Sequence, residues 1–227
     1  MNTDEVKSLA KQNTPIVRIQ KHPNLFRHNV VDELTDGTNF GIELGVASGV
    51  FSKRMMDSGK FRQFYGVDVY ADTHDTEEYK KALKHIGIRR NYKLLRMTFD
   101  DAIDLFKDDF FDFIYVDGYA HTGEEGGTTL IKWYQKLKPG GIMAGDDYHD
   151  DWPLVKWAVN HFASQLDKTV NVTGKTEHSG YSKYPSWFMT KPLKGISHIN
   201  MPEKLINAAR KERTRIDKER FMQQFTK

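Results

Sequence analysis

The residues with chemistry to offer stand where apolar runs end. The first run leads into Gly41-Ile42-Glu43-Leu44-Gly45-Val46-Ala47-Ser48-Gly49, where Gly45 and Gly49 let a helix N-terminus and its amides come close to a bound molecule. Asp68 closes the next run. A carboxylate on the strand beside a glycine-rich turn can accept both hydroxyls of an adenosine ribose, which all nucleoside-type cofactors share. A dinucleotide fingerprint would need glycine at 45, 47 and 50, and the chain has Gly45, Ala47 and Val50. No pyrophosphate cradle is expected. Further along, Asp117 follows one apolar run and Asp146-Asp147 another, while His121 and His149 lie close behind them with side chains able to take a proton near neutrality.

These positions need a scaffold. Between residues 40 and 190, strand-like runs at Phe40–Leu44, Gln63–Val67, Lys93–Met97, Phe113–Val116, Ile142–Ala144, Thr169–Thr173 and Ser186–Thr190 alternate with helical patterns. The helical stretches are about Gly49–Ser58, Thr76–Ile86, Asp100–Phe106, Gly123–Leu137 and Pro153–Leu166, with none between the last two runs. The expected fold is therefore α/β: a seven-stranded, mostly parallel, doubly wound Rossmann-like sheet with helices on both faces and a C-terminal antiparallel hairpin. Ligands of such sheets collect beyond the carboxyl ends of the strands, where the residues above fall.

Composition narrows the classes. The 227 residues are 38% hydrophobic and 29% charged, enough for one sizeable core, and the absence of cysteine removes disulfides, thiolate metal sites and cysteine nucleophiles together. The longest charge-free stretch, Trp157 to Leu166, falls far short of the roughly 20 residues of a membrane helix, so no membrane association and a cytoplasmic location are expected. The net charge of +3 is local: Glu203 to Lys227 holds eight Lys/Arg against four Asp/Glu. That basic tail reads as a solvated helix before it reads as a nucleic-acid surface.

The spacing Glu43-x-Gly45-x-x-x-Gly49 resembles the first motif of class I S-adenosylmethionine-dependent methyltransferases. Three later segments sharpen the resemblance: Phe111-Asp112-Phe113-Ile114-Tyr115-Val116-Asp117-Gly118, Leu137-Lys138-Pro139-Gly140-Gly141-Ile142-Met143-Ala144-Gly145-Asp146-Asp147-Tyr148, and Trp152 to Val159. Together with Tyr184-Pro185-Ser186-Trp187-Phe188 they are similar to small-molecule O-methyltransferases related to macrocin O-methyltransferase and, more distantly, to catechol O-methyltransferase, over about residues 40–190. Two departures touch the substrate pocket. Asp117-Gly118-Tyr119-Ala120-His121 is one residue longer than the Asp-Gly-Asp-His run frequent in that branch, and Thr129 falls where many relatives carry an acid, behind a helix start loosened by Gly123, Gly126 and Gly127.

The resemblance implies S-adenosylmethionine as cofactor, held by Glu43, Gly45, Val46, Ser48 and Gly49 of the first motif, Asp68 and Val69, Phe99 and Asp100, and Asp117. It makes the strands before Asp117 and Asp146 neighbours, about 4.8 Å apart. Converging carboxylates raise one another's pKa unless a cation intervenes, and in metal-dependent relatives these positions hold one, so Asp117, Asp146 and Asp147 are expected to bind Mg²⁺ or a similar divalent ion. The plainer alternative is that Asp146 or Asp147 caps the following turn while Asp117 only contacts cofactor. A bound cation would lower the pKa of a substrate hydroxyl. His121, which counts back from Lys-Pro-Gly-Gly to a position held by lysine in the catechol enzymes, is the expected base, with His149 as the alternative.

Three regions follow: an N-terminal helical lid or extension over 1–36, a methyltransferase domain over 37–193, and a basic C-terminal helical extension over 194–227. The first thirty residues, with His22, Arg27 and His28, are expected to lie over the binding edge, and the Tyr119–Thr129 and His178–Tyr184 segments to select the substrate. Their polar mixture fits a small hydroxylated molecule such as a sugar. Met55, Met56 and Met97 are expected as core fillers. Two other functions stay open: a cofactor-binding module without catalysis, its basic helix serving as an oligomerisation arm in a homodimer, and a nucleic-acid methyltransferase. Base N-methylation is disfavoured because Asp117 is followed by Gly-Tyr-Ala rather than the Pro-Pro-Tyr/Phe of the amino-methylating enzymes.

Overall fold

A computed structural model describes residues 3–71, 74–177, 183–194 and 198–224. Its sheet has eight strands: β1 Ile19–His22, β2 Asn39–Leu44, β3 Phe61–Val67, β4 Tyr92–Leu95, β5 Phe111–Val116, β6 Leu137–Gly145, β7 Val170–Thr173 and β8 Trp187–Thr190. Their order is β1-β7-β8-β6-β5-β2-β3-β4, with β8 antiparallel to both β6 and β7 and every other pairing parallel. The expected fold and its closing hairpin are present, with one strand more than the seven expected. Strand β1 escaped the sequence because Ile-Gln-Lys-His has no apolar face to bury. Three of its four residues are exposed, and backbone pairing with β7, from Ile19 opposite Val170 to His22 opposite Thr173, holds it at the edge.

The central strands read as near-continuous apolar runs because both of their faces are covered. On one side Leu44, Ile114 and Met143 pack with Trp133, Leu154, Trp157 and Phe162; on the other, Phe64, Phe113 and Tyr115 pack with Phe51, Met55 and Met56. Met55 and Met56 are thus core residues, as expected, and Met97 is half-buried against the core. The N-terminal segment is built into the same body. Helix Thr3–Asn13 buries Val6 and Ala10, and after β1 a one-turn 3₁₀ helix, Arg27–Val31, buries Arg27, Val30 and Val31.

Two segments differ from the sequence reading. The helix expected over Gly123–Leu137 is broken: residues Gly123–Gly126 run with φ of 60°, 56°, 57° and 67°, a left-handed turn, and a right-handed helix begins only at Thr128 and ends at Lys136. Gly123, Gly126 and Gly127 accept that conformation freely, whereas Glu124 and Glu125 are forced into it at roughly 1–2 kcal/mol each. The basic tail is a helix, Glu203–Gln224, but it is not solvated along its first half, where Leu205, Ala208, Ala209 and Glu212 are buried. No described helix is long and apolar enough to cross a membrane.

Candidate active site

Strand register assembles the site. Leu44 pairs with both Val67 and Val116, and Val116 with Gly145, so Gly45, Asp68, Asp117 and Asp146 leave the sheet side by side at its carboxyl edge. Gly45 has φ +95°, and a Cβ there would overlap the Asp117 carbonyl oxygen. The loop can lie against β5 only with glycine. Gly49 differs from its expected role: at φ +81° it precedes helix Val50–Asp57, and a Cβ would press on Ile86 at 2.8 Å and Ala82 at 3.1 Å. Its smallness lets two helices pack.

Asp68 is buried and much engaged. Its Oδ2 accepts from the amides of Val46 and Ala47, both at 3.0 Å, and lies 2.8 Å from His74 Nδ1, while Oδ1 accepts from the Tyr70 amide at 3.1 Å. Burial alone would push this carboxyl up, but the hydrogen bonds from His74 and from the Ala47 and Tyr70 amides hold it below the usual carboxylate range. Glu43 is also buried and accepts a hydrogen bond from Ser52, whose hydroxyl lies 2.9 Å from that of Tyr92. Burial pushes its carboxyl well up, against the Ser52 hydrogen bond.

Two cavities meet over these residues. The first, about 130 Å³, is lined by Asp68, Val69, Phe99 and the Gly118–Thr122 segment, and is roofed from the C-terminal helix by Arg213, Ile216 and Arg220. The second, about 590 Å³, is lined by the Val46–Ser48 loop, Glu43, Arg27, Asp146, Asp147, Lys183 and Tyr184. Gly45, His74 and Asp117 belong to both. The structure therefore brings together Glu43, Gly45, Val46, Ser48, Asp68, Val69, Phe99 and Asp117. Asp100 is left out of both cavities, exposed and ion-paired with Lys132 at 2.8 Å.

The expected metal centre does not fit. Arg27, 4% exposed, stands between two of its three carboxylates: one guanidinium nitrogen donates to Asp117 Oδ2 and the other to Asp146 Oδ2 at 3.0 Å. Asp146 Oδ1 accepts from Ser186 Oγ at 2.9 Å, so both of its oxygens are in use. Among the described residues no cluster of three His, Asp or Glu side chains is arranged to hold a metal ion. The positive charge between Asp117 and Asp146 comes from the chain itself, and Asp147 stands beside this arginine-bridged pair.

One arginine does not neutralise the cluster. Asp147, at φ +60° on the cavity wall, has its carboxyl pushed up to about 8 by burial and by the neighbouring Asp146 and Asp117 charges. Burial raises Asp146 as well, against Arg27. Glu124, 2% exposed in the left-handed turn, has a carboxyl oxygen without a hydrogen-bond partner and is pushed well up by burial and then by Asp147, Asp117 and Asp146.

Neither histidine joins the acid cluster. His121 lines the first cavity, packs edge-on against Trp152 at 4.8 Å between centroids, and is lowered by burial. His149 is exposed, 3.4 Å from Asp151 and 4.9 Å from the Tyr184 ring, and lines neither cavity. Tyr119 packs on Phe99 at 5.0 Å and under the Arg213 guanidinium at 4.6 Å, so the start of the Tyr119–Thr129 segment walls the first cavity, while Glu125, Thr128 and Thr129 line a separate one of about 420 Å³. Of the His178–Tyr184 segment, residues 178–182 lie outside the described residues, and Lys183 and Tyr184 line the second cavity. Sequence reasoning missed His74, Glu124 and the bridging role of Arg27. The glycines around Glu124 were the one signal, since a glycine-rich helix start announces a backbone that will not be right-handed.

Comparison with known proteins adds the class. Residues 39–148 match the model of the family described as "Methyltransferase domain". The fold is similar to that of a Streptococcus mutans protein crystallised in complex with S-adenosylhomocysteine (17% identity, TM-score 0.54, covering 76% of this chain and 99% of that one). It is also similar to an rRNA methylase from Streptococcus thermophilus (17%, 0.52, 76% and 98%) and to the N-methyltransferase NodS from Bradyrhizobium japonicum (15%, 0.51, 73% and 94%). No curated protein sequence matches the chain. The centre of the chain is thus similar to a methyltransferase domain, and the sheet built around it has the fold of class I methyltransferases.

Proposed function

We propose that the protein is an S-adenosylmethionine-dependent O-methyltransferase of a small, polar, hydroxylated acceptor such as a sugar, in the branch that the macrocin-like motifs resemble. The observation that carries this reading is the pair of cavities joined at Gly45, His74 and Asp117. The first offers apolar Val69 and Phe99 for an adenine and the Asp68 carboxylate for a ribose. The second begins at the Val46–Ser48 loop, which suits an amino-acid tail, and widens into a charged chamber suited to the acceptor. The neighbour bound to S-adenosylhomocysteine supports the cofactor.

The bound cofactor supplies a methyl group on a positively charged sulfur. This chain's residues do the rest. Asp117, fixed by Arg27, places a carboxylate where the cavities meet, and Asp147 on the acceptor wall is the base that takes the hydroxyl proton once it is itself ionised, which burial and the neighbouring Asp146 and Asp117 charges delay to higher pH. This reading gives the proton to Asp147 rather than to His121 or His149. Calorimetry with S-adenosylhomocysteine, followed by methyl transfer to a panel of nucleoside sugars, catechols and RNA, tests the reading; preferential binding of NAD or transfer only to RNA would overturn it.

A further inference from the structure

We infer that Arg27 occupies, as a fixed part of the chain, the position of a divalent ion among Asp117, Asp146 and Asp147, and that it orients Asp117 toward the acceptor without offering a coordination site. The inference rests on reading the second cavity as the acceptor chamber. Its geometry is specific. The two guanidinium nitrogens engage one oxygen each of Asp117 and Asp146, the pairing a bridging cation would make. Asp117 Oδ1 is left without a bond to Arg27, and Asp147 completes the wall.

Arg27 is also built to stay. Its side chain is 5% exposed, and its guanidinium carbon lies 4.9 Å from the ring centroids of both Phe51 and Tyr115. Cation–π attraction to both rings, which stack on each other, adds to the two ion pairs. Buried Val30 and Val31 pin the turn that carries it. The far side of the cluster is locked in turn, since Ser186 Oγ donates to Asp146 Oδ1 and lies 2.7 Å from the Tyr115 hydroxyl. A divalent ion drawing on Asp117 Oδ2 and Asp146 Oδ2 would have to displace this guanidinium.

The chemical consequence separates this chain from a metal enzyme. A guanidinium neutralises and orients, but it has no empty coordination position in which to polarise a hydroxyl, so a carboxylate has to remove the proton. Arg27 is therefore a positioning residue whose loss should create the metal site it fills.

Electron paramagnetic resonance of Mn²⁺ titrated into the full chain reads this without any acceptor. The free-ion signal should be undiminished by the parent protein and by Arg27→Lys, and diminished by about one ion per chain with Arg27→Met, an uptake that Asp146→Asn in the same chain removes. Stoichiometric Mn²⁺ uptake by the parent that is lost in Asp147→Asn would overturn the inference, and so would a folded Arg27→Met chain that takes up none. Should Arg27→Met fail to fold, Arg27→Gln keeps the donors without the charge and is expected to take up the ion in its place. Failure of both the parent and the variants to bind S-adenosylhomocysteine would sink the proposed function and leave the Mn²⁺ result standing.

Discussion

His74 holds its Nδ1 2.8 Å from Asp68 Oδ2, so the carboxylate placed for a ribose is already partly occupied. A cofactor hydroxyl that reaches Asp68 must displace the imidazole or share the oxygen with it. Asp68→Ala should lower S-adenosylhomocysteine affinity at least tenfold, because it removes both the hydroxyl acceptor and the anchor of the Val46 and Ala47 amides. His74→Ala should raise that affinity by about fivefold, which corresponds to the roughly 1 kcal/mol net of a typical intramolecular hydrogen bond. Calorimetry on both variants checks the pair; weaker binding by His74→Ala would make the histidine a cofactor contact.

Asp147 sets the expected pH profile. A carboxylate base raised to about 8 gives an ascending limb of kcat/KM centred there rather than near the 6.5 of an ordinary histidine. Asp147→Asn should abolish that limb and lower kcat by about 10²–10⁴ with cofactor affinity little changed. His121→Ala and His149→Ala should stay within about threefold of the parent kcat, since neither imidazole joins the acid cluster. An ascending limb lost only in a histidine variant would move the base to that residue.

Gly45 makes a stability prediction. Its φ of +95° and the Asp117 carbonyl in the place of a side chain leave no relaxed position for alanine. Gly45→Ala should cost on the order of 3 kcal/mol and weaken S-adenosylhomocysteine binding with it. Gly49→Ala should cost as much stability through Ile86 and Ala82 and affect binding less. Thermal melts and calorimetry on the two separate a loop that shapes the cofactor site from a glycine that joins helices.

The contrast between those glycines marks how far the sequence could be read. Period and turn chemistry identify β2 to β8, because buried strands announce themselves by composition, and they place Asp68, Asp117 and Asp146 at strand ends without a structure. Which group answers a carboxylate is set by tertiary packing. Arg27 reaches Asp146 across 119 positions of the chain, from a 3₁₀ turn whose sequence, Arg-His-Asn-Val-Val, has no periodicity to read. The resemblance that suggested a metal centre anticipated the convergence of acids and not the arginine between them. The basic tail was misread for a related reason: its surplus of Lys and Arg masks Leu205, Ala208 and Ala209, which dock the helix and bring Arg213 over Tyr119.

Glu124 provides the last prediction. In the folded chain its carboxyl is pushed well above the usual range by burial and the nearby aspartates, and in the unfolded chain it returns to about 4.3. At pH 3 to 4 both states are protonated and the group is neutral in its effect. As pH rises past 4.3 the unfolded chain releases the proton while the folded chain retains it, so the unfolded state binds fewer protons and stability falls with pH until the folded carboxyl itself ionises. Glu124→Gln removes this dependence without changing shape, and its amide can donate to the neighbouring carboxylates where Glu124 leaves an oxygen unpartnered. The variant should therefore melt at the parent temperature near pH 4 and several degrees above it at pH 8. Glu124→Gly, which also relieves the left-handed backbone at φ 56°, should add a further stabilisation of about 1 kcal/mol from the relieved strain, partly offset by lost packing and by the entropy that glycine gains in the unfolded chain. Melting curves of the three proteins across pH 4 to 8 decide it: a parent and Gln variant that track each other at every pH would show that Glu124 ionises freely and is not buried as an acid.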